Sequence, residues 1–207
     1  RLYFIRKGKA TWNFCRFANT NTNKYMPSYN TPVFYNGVLY CVDYNGSLGV
    51  FNIDDLRLNW KVLEKPHQQF SDVYPSFLVE CGGDLLLVKL GQLGTVFGIF
   101  KLDFSRMYWV KIKNLGNHML FVSYTSCVSA IAPNRRMENK VYFPRLCMNG
   151  EGVLLFCLAT GSYRSFGSQH SASDFTDTEG WYSNCIWIEP NWSKSTAQEL
   201  DWVKPPF

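Results

Sequence analysis

Val38-Leu-Tyr-Cys-Val42 is an apolar run that Asp43-Tyr-Asn-Gly-Ser47 interrupts with turn-forming residues; Leu48–Ile53 resumes it and Asn59-Trp60-Lys61-Val62-Leu63 closes it. The same grammar returns one copy later. Phe77–Glu80 meets a Cys81-Gly-Gly-Asp84 turn, followed by Leu85–Leu90, Val96–Leu102 and Tyr108-Trp109-Val-Lys-Ile112. Trp12, Trp60 and Trp109 mark the ends of three such stretches, 48 and 49 residues apart. A period of about 40–50 residues made only of short strands is the signature of a β-propeller blade. The chain is therefore expected to be all-β, a β-propeller of four-stranded antiparallel blades. About four blades fall within it, the first one partial. A helix content above about a fifth, or parallel strands, would contradict this architecture.

On either side of the two best copies the repeat is less regular. Leu2–Ile5, a basic turn over 6–9 and Thr11–Phe17 supply the last strands of a first blade. Residues 18–29 and 67–74 are polar linkers. A fourth blade begins near Asn117, with strands over Met119–Tyr124, Lys140–Phe143 and Gly152–Ala159, and Tyr163-Arg-Ser-Phe166 standing where a Trp is absent. Gly167–Gly180 reads as a mobile polar loop. Cys185-Ile-Trp-Ile-Glu-Pro190 resumes a strand, which Pro190 ends by removing a ladder donor. The propeller is thus expected over 1–190, with its N-terminal part lying upstream, because a propeller opening in mid-blade leaves an unpaired edge. Residues 191–207 form a C-terminal tail in which Leu200–Lys204 can add an edge strand.

With 207 residues, 46% apolar and 17% aromatic, the chain can build a packed core and does not fit a disordered profile. It has no run of the roughly 18 apolar residues that cross a bilayer, and its opening apolar block is too short for a secretory signal. Seven cysteines, an odd number, occur without any CxxC pair and mostly inside apolar runs such as Leu155-Phe-Cys157-Leu. They read as reduced structural thiols, which implies cytoplasm and/or nucleus and makes the two Asn-x-Ser sequons chance matches. The net charge of +5 is dispersed. No basic stripe of the kind nucleic acid requires is present, and an acidic protein surface is the favoured partner.

Several segments taken together carry a family resemblance. They are Phe4-Ile-Arg-Lys-Gly-Lys-Ala-Thr-Trp12; Phe34-Tyr-Asn-Gly-Val-Leu-Tyr40 with Asp43 and Gly46; and Phe77-Leu-Val-Glu-Cys-Gly-Gly-Asp-Leu-Leu-Leu-Val88. Phe100-Lys-Leu-Asp103 with Trp109, Leu115-Gly-Asn-His-Met-Leu-Phe121, Val141-Tyr-Phe143 and Ile186-Trp-Ile-Glu-Pro190 complete the set. Over residues 2–190 their order resembles the KIB-type β-propeller domain of plant F-box proteins, also described as F-box/kelch-repeat. The resemblance implies an upstream F-box that docks a Skp-type adaptor of a cullin-RING ubiquitin ligase, and a propeller that recruits a protein client. Some members resemble inhibitors of GSK3-like kinases in brassinosteroid signalling, so such a kinase is one implied client. The shared residues also have packing roles. Gly37, Gly46, Gly82 and Gly83 permit positive φ in hairpin turns, Asp43 and Asp84 brace those turns, and the Trp series wedges between blades.

Enzymatic chemistry finds little purchase. His67, His118 and His170 are the only histidines, and Ser168-Gln-His-Ser-Ala-Ser-Asp174 places triad letters side by side in sequence, not converging in space. Asp54-Asp55 reads as a solvated turn, and Gly91-Gln-Leu-Gly94 lacks the Lys and Ser/Thr of a phosphate loop. No catalytic residue, metal or cofactor is expected. The reading from a different class is a small-ligand receptor or hydrolase that uses the central cavity. A protein-binding propeller instead needs Arg and aromatic anchors on loops at one end. The candidates are Arg135, Arg136, Tyr163, Arg164, Trp181, Tyr182 and Trp202, and the segments 132–139 and 167–184 are the first places to seek a partner surface.

Overall fold

The structure, a computed structural model, describes residues 2–5, 8, 10–15, 31–43, 46–52, 60–63, 76–90, 97–123, 125–147, 150–166 and 186–187. They form strands and no helix. A two-stranded sheet joins β1 (Leu2–Phe4) and β2 (Asn13–Cys15). A meander of β3 (Val33–Tyr35), β4 (Val38–Val42), β5 (Leu48–Asn52) and β6 (Trp60–Val62) makes the next sheet. It is followed by a second meander of β7 (Ser76–Cys81), β8 (Asp84–Leu90), β9 (Phe97–Asp103) and β10 (Tyr108–Ile112). Both are antiparallel throughout, as the repeat predicts.

The β7–β10 sheet is apolar on both faces, and its register shows why. Successive residues of a strand point to opposite faces. Leu78, Leu85, Leu87, Phe100, Leu102 and Trp109 face the β3–β6 sheet, where they pack with Tyr40, Val42 and Leu48. Phe77, Val79, Cys81, Leu86, Val88 and Ile99 face the following sheet and meet Leu120, Val122, Val141, Phe143 and Leu154. Glu80-Cys-Gly-Gly-Asp84 is therefore only a turn between two strands that have no solvent face. That arrangement explains the uninterrupted Leu85-Leu86-Leu87-Val88 run.

The fourth sheet departs from the expected pattern. It has five strands in the order β12-β11-β13-β14-β15: β11 (His118–Val122), β12 (Cys127–Ile131), β13 (Lys140–Cys147), β14 (Gly150–Cys157) and β15 (Ser162–Phe166). The sequence reading has no strand at β12. β11 and β12 form an antiparallel hairpin, after which the chain crosses the end of β11 and enters on its other side. β13 then runs in the same direction as β11, and Met119, Leu120 and Phe121 pair in parallel with Lys140, Val141 and Tyr142. One parallel pair, which the expectation of wholly antiparallel blades excludes, thus corrects that expectation for the fourth sheet alone; the other three sheets are antiparallel among the described residues, as the propeller repeat predicts. β12 packs beside β7, so the added hairpin strand forms the edge of its sheet that lies against β7.

Turn chemistry accounts for most of the register. Asn36 (φ 47°) with Gly37 (φ 77°), and Gly82 (59°) with Gly83 (83°), close two-residue hairpins that need left-handed backbone at both positions. Asp43 braces its turn as expected, its Oδ1 accepting from the Ser47 amide at 2.7 Å. Asp84 does not. Glu80 accepts from the Gly83 amide at 2.9 Å, while Asp84 forms an ion pair with Lys101 at 2.7 Å across the sheet. The tryptophans also diverge. Trp109 is fully buried between sheets, Trp60 lies half-buried over Gly49, and Trp12 is 67% exposed on the hairpin. Ile186 and Trp187 are not in a strand; the Trp187 amide donates to Ser126 Oγ at 2.7 Å and its ring meets Phe121 at 5.1 Å.

Candidate functional site

Strand direction brings one set of turns to a single end of the stacked sheets: 36–37, 82–83, 104–107, 132–139 and 158–161. Aromatic contacts lock the first three together. The Tyr35 ring stacks on Phe104 with centroids 5.6 Å apart and planes 1° from parallel. The Tyr35 hydroxyl donates to the Gly83 carbonyl at 2.9 Å, and Tyr40 meets both rings edge-on. Gly82 carries this end to the fourth sheet, because a Cβ there would stand 3.2 Å from the His118 ring.

The 132–139 crossing is an ordered turn. Ala132 N–H donates to Asn117 O at 2.8 Å, continuing the β12 ladder by one step. Arg136 N–H donates to Asn134 Oδ1 at 3.0 Å and Met137 N–H to Asn134 O at 3.0 Å. Lys140 Nζ donates to the Arg136 carbonyl. Asn139 holds the far end from three directions. Its amide donates to His118 O at 2.9 Å, its carbonyl accepts from Leu158 N–H at 3.0 Å, and its Oδ1 accepts from Leu115 N–H at 2.7 Å. The left-handed backbone at Asn139 (φ 57°) is a conformation that Asn tolerates better than most residues.

This scaffold displays Arg135 and Arg136, both exposed, four and five residues after Ile131, which is 68% exposed at the tip of the edge strand β12. Neither guanidinium has an ion pair among the described residues. Several neighbouring carboxylates are committed locally. Asp103 accepts from the Ser105 hydroxyl at 2.6 Å and from the amides of Ser105 and Arg106, so its pKa falls, chiefly through the Ser105 hydroxyl. Glu80 serves its turn and Asp84 its lysine. Arg106 adds an exposed cation to the same end.

The other sequence candidates lie apart from this group. Tyr163 turns inward and packs at 4.9 Å from Phe156 and 6.1 Å from Phe143. Arg164 is exposed on β15, the outer strand of its sheet. Trp181, Tyr182 and Trp202, with the 167–184 segment, lie outside the described residues. Ile131 was missed with its strand; the β-branched residues of Cys127-Val-Ser-Ala-Ile131, following the Ser-rich turn at 123–126, are the signal that finds it.

Among the described residues no group of three His, Cys, Asp or Glu side chains can hold a metal. His118 Nδ1 lies 3.2 Å from the Leu115 carbonyl oxygen, a turn contact. Cys41, Cys81, Cys127 and Cys157 are not in disulfides. Burial pushes Cys41 and Cys127 up to about 12 and Cys81 up to about 11, the chemistry of inert core thiols. Cys157 goes the other way. Burial raises it, but the Thr160 hydroxyl, the amides of Thr160 and Ala159 and the Lys140 charge together lower it.

The KIB1-4 beta-propeller family profile matches residues 1–183, and the chain belongs to that family. It is 31% identical over 173 residues to an F-box/kelch-repeat protein of Arabidopsis thaliana, covering 78% of this chain and 45% of the relative. A putative F-box protein of the same plant is 24% identical over 169 residues, covering 76% of this chain and 45% of the relative. The chain spans about half the length of these curated relatives.

Proposed function

We propose, from membership of the KIB1-4 beta-propeller family, that this chain is the protein-binding part of a substrate receptor for an F-box ubiquitin ligase. It acts by recruitment and carries no catalysis of its own. A Skp-type adaptor is engaged through an F-box outside these residues, and the protein works in the cytoplasm, the nucleus or both. A GSK3-like kinase is the first client to test. The supporting observation is the rigid end that presents Arg135 and Arg136 on a turn pinned by Asn139. A stiff platform with uncommitted cations suits selection of a protein surface, because ordering costs are already met before binding.

The test is reconstitution. The full-length protein, a Skp-type adaptor, a cullin-RING core and a GSK3-like kinase are combined, and ubiquitin transfer to the kinase is followed on gels. Adaptor co-elution together with transfer that needs the propeller supports the proposal. Failure of the full-length protein to co-elute with the adaptor refutes the ligase assignment. Absence of transfer to the kinase alone removes that client.

A further inference from the structure

We propose that Ile131, Arg135 and Arg136 form one recognition surface for an extended acidic peptide segment carrying an aliphatic or aromatic anchor. This rests on the protein-binding reading above and names the chemistry of its partner. Ile131 ends the edge strand β12, 68% exposed, and the backbone continues through Ala132, which is still held by Asn117. Pro133, Asn134, Arg135 and Arg136 follow as an exposed run. An apolar side chain therefore stands at the sheet edge beside β7, and two arginines follow on the turn just beyond it.

Charge complementarity selects the occupant. The carboxylates of Glu80, Asp84 and Asp103 on this end are occupied by the Gly83 amide, Lys101 and the 105–106 turn. Glu138 is the one acid within the turn itself, and it is half-buried, whereas both arginines are exposed. Arg forks suit carboxylates because they pair in a planar, two-bond geometry. The turn does not need to order on binding, since Asn134 and Asn139 already fix both of its ends. A partner with an apolar residue between acidic ones satisfies both halves of the surface. A purely acidic polymer satisfies only one.

The probe is a fluorescein-labelled peptide of about twelve residues with Leu-Phe between two Asp-Asp pairs, read by anisotropy at about 0.05 and about 0.3 M salt. The expected result is binding that weakens with salt. Arg135→Glu with Arg136→Glu lowers affinity about tenfold or more and flattens the salt dependence. Ile131→Ser lowers it about fivefold and leaves the salt slope intact. Arg164→Glu, one charge reversal on the outer strand, changes it less than about twofold. Arg135→Lys with Arg136→Lys retains salt-dependent binding and serves as the folded control.

Four results overturn the proposal: salt-insensitive binding by the unaltered protein, an Arg164→Glu loss as large as that of the double reversal, no effect of Ile131→Ser, or equal affinity for an oligo-dT of matched charge. The ligase reading fails separately. Peptide binding that persists while adaptor co-elution is absent removes that reading and leaves this surface standing, and lost peptide binding with ubiquitin transfer intact does the reverse.

Discussion

Replacing Asn139 with three residues separates the forces that hold the 132–139 turn. Asn139→Ala deletes the Oδ1 that accepts from Leu115 N–H at 2.7 Å, in a part-buried position. An amide left without its acceptor costs about 1–3 kcal/mol. Alanine must also hold φ near 57° without the short polar side chain whose local hydrogen bonding lets Asn tolerate it, which adds about 1 kcal/mol. The expected total is about 2–4 kcal/mol, a fall in Tm of about 4–16 °C for a domain of this size. Asn139→Gly relieves the backbone and loses only the acceptor, so it falls between. Asn139→Asp keeps an acceptor oxygen and a left-handed habit, and costs less than about 1 kcal/mol. Urea and thermal unfolding measure the totals, and hydrogen exchange at the Leu115 amide reports the local bond. An Asp variant as destabilised as the Ala variant, or an Ala variant within about 0.5 kcal/mol of the parent, refutes the assignment of Asn139 as the pin.

Further outcomes follow from other positions. Gly49→Ala places a Cβ 1.8 Å from the Trp60 ring, which must leave its seat; unfolding measurements should show a loss of about 2 kcal/mol or more, with a shifted tryptophan emission. Trp109→Ala should cost about 3–5 kcal/mol in denaturant titration. Trp109→Phe should cost far less, because the buried Trp109 Nε1 has no hydrogen-bond partner among the described residues and its removal also lifts a penalty. Cys41, Cys81 and Cys127 have folded pKa values above the ordinary 9.0, so their contribution is full below about pH 9 and is lost as pH rises toward about 11–12. Alkaline unfolding should therefore steepen in that window, and Cys41→Ala should flatten it. Under native conditions Cys157 should react with a thiol reagent before the other three, and a reversed order counts against the cradle around it.

The two middle blades were legible because local chemistry and tertiary role agree there. Asn36-Gly37 and Gly82-Gly83 can serve as little else than hairpin turns, and these two-residue turns fix the register of the apolar runs on either side. The fourth sheet was less legible for a physical reason. Nothing in a single segment says that β11 will pair with both β12 and β13, since that choice is made by contacts distant in sequence. The turn at 123–126 is closed by Ser123 and Ser126 and, like the 104–107 turn, carries none of the Gly that marks the 36–37 and 82–83 hairpins. Trp12 shows that an aromatic in the repeat position need not be buried. A better marker was available: Gly49, Gly98 and Gly152 precede Trp60, Trp109 and Tyr163 by the same 11 residues. In the β5–β6 pair Gly49 stands opposite Val62, which puts the Trp60 ring diagonally across the bare backbone. At the recognition end, Arg135 and Arg136 could be picked out as letters. That their turn is rigid depends on an asparagine side chain reaching an amide 24 residues away.

The crossing from β12 to β13 sets what this surface can become. Ordinary surface loops vary freely in length because a few added residues cost little closure entropy. Here the same eight positions must carry the chain over the tip of β11 and deliver Lys140 opposite Met119 and Cys157 in step. One residue more or fewer would rotate β13 so that Val141 and Phe143 leave the core. New specificities are therefore accessible by exchanging side chains at a constant spacing, while insertions and deletions are closed to it. Descendants of this chain can change what they grip, but the hand keeps its span.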